Sequence, residues 1–172
     1  AFTPRSIAAL EPRIVEIADG FADDLWRDGG GDLVKSFTEA LPTQVIAEML
    51  GVDPGDRAFF KENSNQLVRS NPLEGGGRRQ GMEAATALYG YLEAVIAERR
   101  LEPREDLISS LVAATVDGER LTDDELVGFC FLLLVAGNET TTNLLGNALV
   151  ALDAHPWTRR ALEERELGLP AV

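Results

Sequence analysis

Apolar residues recur along the chain at steps of three and four, punctuated by Pro and Gly, and this pattern predicts a nearly all-α protein. Thr3-Pro4 combines a capping side chain with a first-turn proline and predicts a short helix through Leu10. A second helix starts at Pro12, with Ile14, Ile17, Ala18, Phe21 and Leu25 on one side, and stops at Gly29-Gly30-Gly31. Asp32 to Thr38 is too short to assign by period and reads as a strand or an extended connection. Pro42 opens a helix with Val45, Ile46, Met49 and Leu50 on one face, closed by Gly51. Asp53-Pro54-Gly55-Asp56 forms a turn into a helix reaching Arg69.

Asn71 to Gly81, which contains Pro72, reads as a loop. A long helix follows to Leu101, striped by Leu88, Leu92, Val95 and Ile96. Pro103 is expected to start the next, with Leu107, Leu111, Val112 and Ala114 inward. Asp117-Gly118 is a turn. Thr122-Asp123-Asp124-Glu125 then has the pattern of a capping box, a Thr cap with Glu three residues on. The helix it starts is expected to run to Ala154, roughly 48 Å at about 1.5 Å per residue. Its middle is apolar on several faces, which predicts burial on nearly all sides. His155-Pro156 ends it, and a last helix is expected over Thr158 to Arg165.

The middle of that longest helix breaks local rules. Gly137 costs about 1 kcal/mol relative to Ala inside a helix, and the run Thr140-Thr141-Thr142 is a weak helix former. Glu139 is a carboxylate in a segment expected to be buried, which is costly without a partner. At helical spacing Leu132, Val135, Ala136, Glu139, Thr140 and Asn143 share one face. That face offers apolar side chains, a small residue that lets a flat ligand approach, then an acid and an alcohol. Gly137 is expected to let the helix loosen so that water enters its hydrogen-bond ladder. An acid and an alcohol beside such water could pass protons into a dry site. A threonine-rich packing seam, with Glu139 paired to an arginine, is the competing account of the same residues.

Charge and cysteine content narrow the field. With 29 acidic against 16 basic residues, the net charge of −13 repels phosphate backbones and anionic lipid, so neither nucleic acid nor a membrane surface is expected as a partner. The most apolar run, Phe129 to Gly137, is far shorter than the roughly 20 residues of a membrane span. Cys130 is the only cysteine, so an intrachain disulfide is impossible, and a reducing, cytoplasmic compartment is expected.

Ala136-Gly137-Asn138-Glu139-Thr140-Thr141 resembles the oxygen-binding motif of cytochromes P-450, Ala/Gly-Gly-x-Asp/Glu-Thr-Thr/Ser. The context agrees: Arg99-Arg100 precedes Pro103-Arg104-Glu105-Asp106-Leu107-Ile108-Ser109-Ser110-Leu111, and Asp117-Gly118-Glu119-Arg120-Leu121-Thr122 follows. Ala1-Phe2-Thr3-Pro4-Arg5 is also similar to the family's stretch after an early haem-contacting helix. Together these segments resemble the soluble bacterial members, along the whole of this chain. The resemblance implies an all-α core fragment built around one long helix, with residues 1–172 as the central part of a single domain. It implies a haem-thiolate monooxygenase with haem b, dioxygen, a small organic substrate, and an electron-transfer partner such as a ferredoxin with its reductase.

By the same resemblance Thr140 is the alcohol that hydrogen-bonds dioxygen at the haem, and Glu139 is the acid that relays protons to it. Ala136 and Gly137 form the groove for dioxygen, and Leu132 and Val135 wall the substrate pocket. Gln66-Leu67-Val68 and the loop after it belong to the substrate lid, with Leu67 and Val68 as pocket positions. The family's thiolate loop, Phe-x-x-Gly-x-x-x-Cys-x-Gly, and its Glu-x-x-Arg helix do not occur in this sequence; Pro170-Ala171-Val172 resembles the run before that helix. Cys130 lies two to three turns before Thr140 on one helix, cannot reach the opposite side of a haem, and is read as an inert buried thiol. His155 is read as a helix-junction residue. A non-catalytic helical interaction module derived from the same fold is the alternative. A carboxylate metal site in a helical bundle is disfavoured by the single histidine.

Overall fold

The computed structural model describes residues 3–70, 77–116 and 118–164. Helix α1 (Pro4–Ala8) is capped by Thr3, whose hydroxyl accepts from the Ser6 amide at 3.2 Å. Helix α2 (Glu11–Arg27) ends into Gly29 and Gly30, both at positive φ. Helix α3 (Ala40–Leu50) closes on Gly51 at φ 76°, in the left-handed region that suits glycine. A single 3-10 turn at Pro54–Asp56 leads into α4 (Arg57–Arg69), and α5 (Gly77–Leu101) is the second longest helix. Helix α6 (Leu107–Ala113) precedes an antiparallel two-residue ladder, β1 (Thr115–Val116) with β2 (Glu119–Arg120). Helix α7 (Asp123–Ala154) starts on the capping box expected at Thr122 and Glu125, and α8 (Pro156–Glu163) follows His155.

Five local expectations change, the first at α3, which starts at Ala40, two residues before Pro42. Val34–Thr38 is a wide π turn leading into α3, where an extended segment was expected. Gly77 to Gly81, expected in a loop, belong to helix α5; Asn71 to Gly76 lie outside the described residues. Helix α6 is started by Asp106 and not by Pro103, because the Asp106 carboxylate accepts from the Ser109 amide at 2.7 Å. Helix α8 opens at Pro156, two residues before the expected start. Of the remaining expectations, Ala1-Phe2, Asp117, Arg165 and Pro170-Ala171-Val172 lie outside the described residues.

One core joins α3 to α7. Leu50, Phe60, Leu88, Leu92, Ile96, Ile108, Leu126 and Leu134 are all buried within it. A cap of ion pairs closes its lower end. Arg99 is only 1% exposed, and its Nε donates to Asp106 Oδ2 at 2.5 Å while Nη2 donates to the Gly51 carbonyl at 2.8 Å. Its Nη1 lies 3.1 Å from Glu98 Oε1, close enough for charge attraction although outside hydrogen-bond geometry. Burial alone would raise the Asp106 pKa. The hydrogen bonds from Arg99 and Ser109 outweigh it and hold the carboxyl below its ordinary 3.8. Glu48 is likewise held below 4.5, first by the hydrogen bonds from Arg13, at 2.6 Å each, and further by Gln44 and Arg57.

These two carboxyls fix the direction of a pH effect. Each has a lower pKa folded than unfolded, so its contribution is complete above the unfolded value and disappears as pH falls through the folded one. The urea midpoint is expected to stay level from neutrality to about pH 5 and to drop below about pH 4. Asp106→Asn should flatten that drop while lowering the plateau. A wild-type midpoint unchanged down to about pH 3 would remove these pairs from the stability of the fold.

Candidate active site

The buried side of α7 reads Leu126, Cys130, Leu134 and Asn138, each four residues apart. Successive residues turn about 100° around a helix, so residues 132, 135, 136, 139, 140 and 143 fall on the other side. All six are exposed, Leu132 at 66% and Val135 at 41%. The shared face expected from spacing is therefore present. Burial of α7 on nearly all sides is not: the apolar residues on this face, continued by Leu144 and Val150, have no covering element among the described residues.

Along the exposed stripe Ala136 stands one turn from Leu132 and one turn from Thr140. A shallow step thus lies between taller side chains. The Thr140 hydroxyl donates back to the Ala136 carbonyl at 2.6 Å, a common resting bond for threonine within a helix. Its oxygen keeps its lone pairs toward the open side. Glu139 is exposed beside it and makes no ion pair with any described residue. Helix α7 is α-helical throughout, so Gly137 does not loosen it. The glycine has another use: an added Cβ would lie 3.1 Å from Ile46 Cδ1, so Gly137 lets α3 approach closely.

A depression of about 120 Å³ beside the stripe is lined by Glu39, Val68, Arg69, Asn138, Glu139 and Thr142, among others. Arg69 is ion-paired with Glu39 there. The hollow is lined by polar side chains together with Val68 and is large enough for a few water molecules. It brings Val68 and Glu139 to one place. Leu67, by contrast, packs against the main core and does not stand on the stripe.

Sequence reading passed over Asn138 and Thr142, which face inward. Asn138 Nδ2 donates to Thr43 Oγ1 at 2.9 Å, and Thr142 Oγ1 donates to the Thr38 carbonyl at 3.0 Å. The signal was available. Asn138 continues the four-residue step of Leu126, Cys130 and Leu134, so the buried stripe itself marks it as a polar residue facing inward.

The exposed stripe fits one side of a planar cofactor: the step at Ala136 admits the edge of a flat ring, and no charged group other than Glu139 stands among its six residues. The chain offers no thiolate for iron. Cys130 is 1% exposed on the opposite, core-facing side, and burial pushes its thiol up to about 11. Among the described residues no cluster of three metal-ligating side chains occurs, and no helix is long and apolar enough to cross a membrane.

Comparison with known proteins gives the family. The cytochrome P-450 family model matches residues 61–166. A vitamin D(3) 25-hydroxylase of Pseudonocardia autotrophica is 44% identical over 165 residues, covering 95% of this chain and 40% of that protein. An erythromycin C-12 hydroxylase of Saccharopolyspora erythraea is 40% identical, covering 100% of this chain and 44% of that protein. The crystal structure of CYP109E1 from Bacillus megaterium in complex with testosterone superposes with a TM-score of 0.87 at 37% identity, covering 98% of this chain and 46% of that one. CYP109Q5 from Chondromyces apiculatus gives 0.82 at 48% identity, covering 92% and 39%. The chain thus spans about two fifths of the length of these bacterial relatives. With well over half of its residues inside the family model, and with this fold, the chain belongs to the cytochrome P-450 family.

Proposed function

We propose that the chain is the central part of a single cytochrome P-450 domain. It would supply the distal, proton-delivering wall of a monooxygenase that inserts one oxygen atom of dioxygen into a small organic substrate. The observation that carries this is the exposed stripe of α7, where an acid and an alcohol adjoin beside the step at Ala136. Haem b, when bound, supplies the activation of dioxygen and the transfer of its oxygen atom. Electrons would come from a partner such as a ferredoxin with its reductase. The relatives named for hydroxylating vitamin D(3) and erythromycin, and the one crystallised with testosterone, support a small organic substrate.

Each residue then has a task. Ala136, with Gly137 behind it, leaves room for dioxygen against the helix. Thr140 holds a proton on Oγ1, shares it with the Ala136 carbonyl at rest, and can turn it outward once a better acceptor lies in front. Glu139 reaches the water-sized hollow on one side and the stripe on the other, so it can reload the hydroxyl through water. Leu132 and Val135 keep the neighbouring space apolar for substrate. Leu67 and Val68, near the end of α4, belong to the lid over the entrance.

The test is Thr140→Ala in the complete enzyme. Reducing equivalents should still be consumed at a similar rate, while product per electron pair falls several-fold and hydrogen peroxide makes up the difference. Unchanged product per electron pair would take Thr140 out of this role.

A further inference from the structure

We propose that Asn138 is a positioning residue of this site: by donating to Thr43 it sets the rotation of α7 at the turn carrying Glu139 and Thr140. The proposal rests on the reading of those two residues as the proton-delivering pair.

Asn138 is 3% exposed; its Nδ2 donates to Thr43 Oγ1 at 2.9 Å, and its Oδ1 lies 3.3 Å from Thr142 Oγ1, as the more distant of two acceptors that share that hydroxyl's single proton. The Thr43 hydroxyl passes its own proton to the Glu39 carbonyl at 2.9 Å. Thr142 also reaches the Thr38 carbonyl at 3.0 Å. A chain of hydrogen bonds therefore joins α7 to α3 and to the π turn before it. It lies on the far side of the helix from the stripe, since Asn138 and Thr140 are about 200° apart at about 100° per residue.

A buried amide is a costly way to join two helices if adhesion is all that is needed. Leu126, Val127, Cys130 and Leu134 already hold α7 to the core, but apolar contact has no preferred direction and permits small rotations. A hydrogen bond near 2.9 Å weakens quickly when bent, so it fixes the angle. Gly137 reinforces this by letting Ile46 of α3 press against the same turn. The lever is short. A rotation of about 10° moves a hydroxyl about 5 Å from the helix axis by about 1 Å, and a misplacement of about 1 Å can cost roughly 100-fold in a reaction step.

The experiment measures melting temperature, product per electron pair and peroxide in the complete enzyme for Thr43→Val, Asn138→Leu, the double variant, Thr43→Ser and Thr140→Ala. Product per electron pair is a ratio for each turnover, so a smaller folded fraction does not move it. Thr43→Val keeps the shape but removes the acceptor. The expected result is that Thr43→Val and Asn138→Leu each lower product per electron pair about threefold or more, while Thr43→Ser, which keeps the hydroxyl, stays within about 20% of wild type. Should a single variant fail to fold, the double variant leaves neither Asn138 Nδ2 nor Thr43 Oγ1 as an unpaired donor or acceptor, and carries the same reading. Uncoupling in Thr140→Ala with full coupling in Thr43→Val and Asn138→Leu overturns the positioning role alone. Full coupling in Thr140→Ala overturns the site reading as well.

Discussion

Replacing Arg99 with alanine is expected to destabilise the complete enzyme by about 3–5 kcal/mol, the usual cost of removing one member of a buried ion pair. Three costs arise at once. Asp106 would keep a buried charge with only Ser109 to satisfy it, the Gly51 carbonyl would lose a donor at 2.8 Å, and a cavity would open under α5. A domain holds only about 5–15 kcal/mol in total, so the loss would be visible as a large fall in urea midpoint or in folded yield. Gly51→Ala should be comparably severe for separate reasons: its φ of 76° strains any side chain, and a Cβ there would collide with the Asp106 carboxyl. The surface pair Arg27–Asp24 is the contrast, because both side chains are mostly exposed; Arg27→Ala should destabilise by less than about 0.5 kcal/mol. If Arg99→Ala and Arg27→Ala melted alike, the junction of α3, α5 and α6 would owe its stability to the apolar core alone.

Arg99 also shows where sequence reading stops. It lies among Glu98, Arg100 and Glu102 at the end of a helix, in company that would suit a solvated surface. The return of the 102–106 segment over α5, with Asp106 aimed inward, and the end of α3 at Gly51 enclose it. The same return explains why α6 starts at Asp106: one carboxylate oxygen caps the helix while the other meets Arg99. Helix ends governed by their own neighbours were legible, as with Thr3-Pro4, Gly51 and the Thr122–Glu125 box, because capping is a local interaction. The π turn at 34–38 was not, since its geometry answers to packing against α7 and α3, which no local pattern announces. For the site, period alone placed six residues of α7 on one face. It could not say that the face would lie open, because apolar residues look the same in sequence whether or not this chain supplies their cover. Gly137 drew attention as a helix-weakening residue; what the sequence could not announce is its contact with Ile46 of α3, in a helix that stays α-helical there.

Glu139→Gln in the complete enzyme is expected to slow turnover by about 100-fold, within the range that general acid–base groups contribute. Glutamine keeps the length and hydrogen-bonding capacity of the side chain but cannot give up and regain a proton. Its failure should therefore differ in kind from that of Thr140→Ala. Loss of the alcohol misroutes protons that still arrive, so reducing equivalents are spent and peroxide appears. Loss of the acid starves the site of protons, so consumption and product should fall together and their ratio should stay near wild type. Because proton supply would then limit the rate, the solvent deuterium isotope effect on turnover should rise well above that of the wild type. Glu139 is exposed and free of any ion pair with the described residues, so little stability is at stake and the melting temperature should hardly move. An unchanged turnover rate would mean that water in the hollow between Glu39, Arg69 and Asn138 reaches Thr140 without help from this carboxylate.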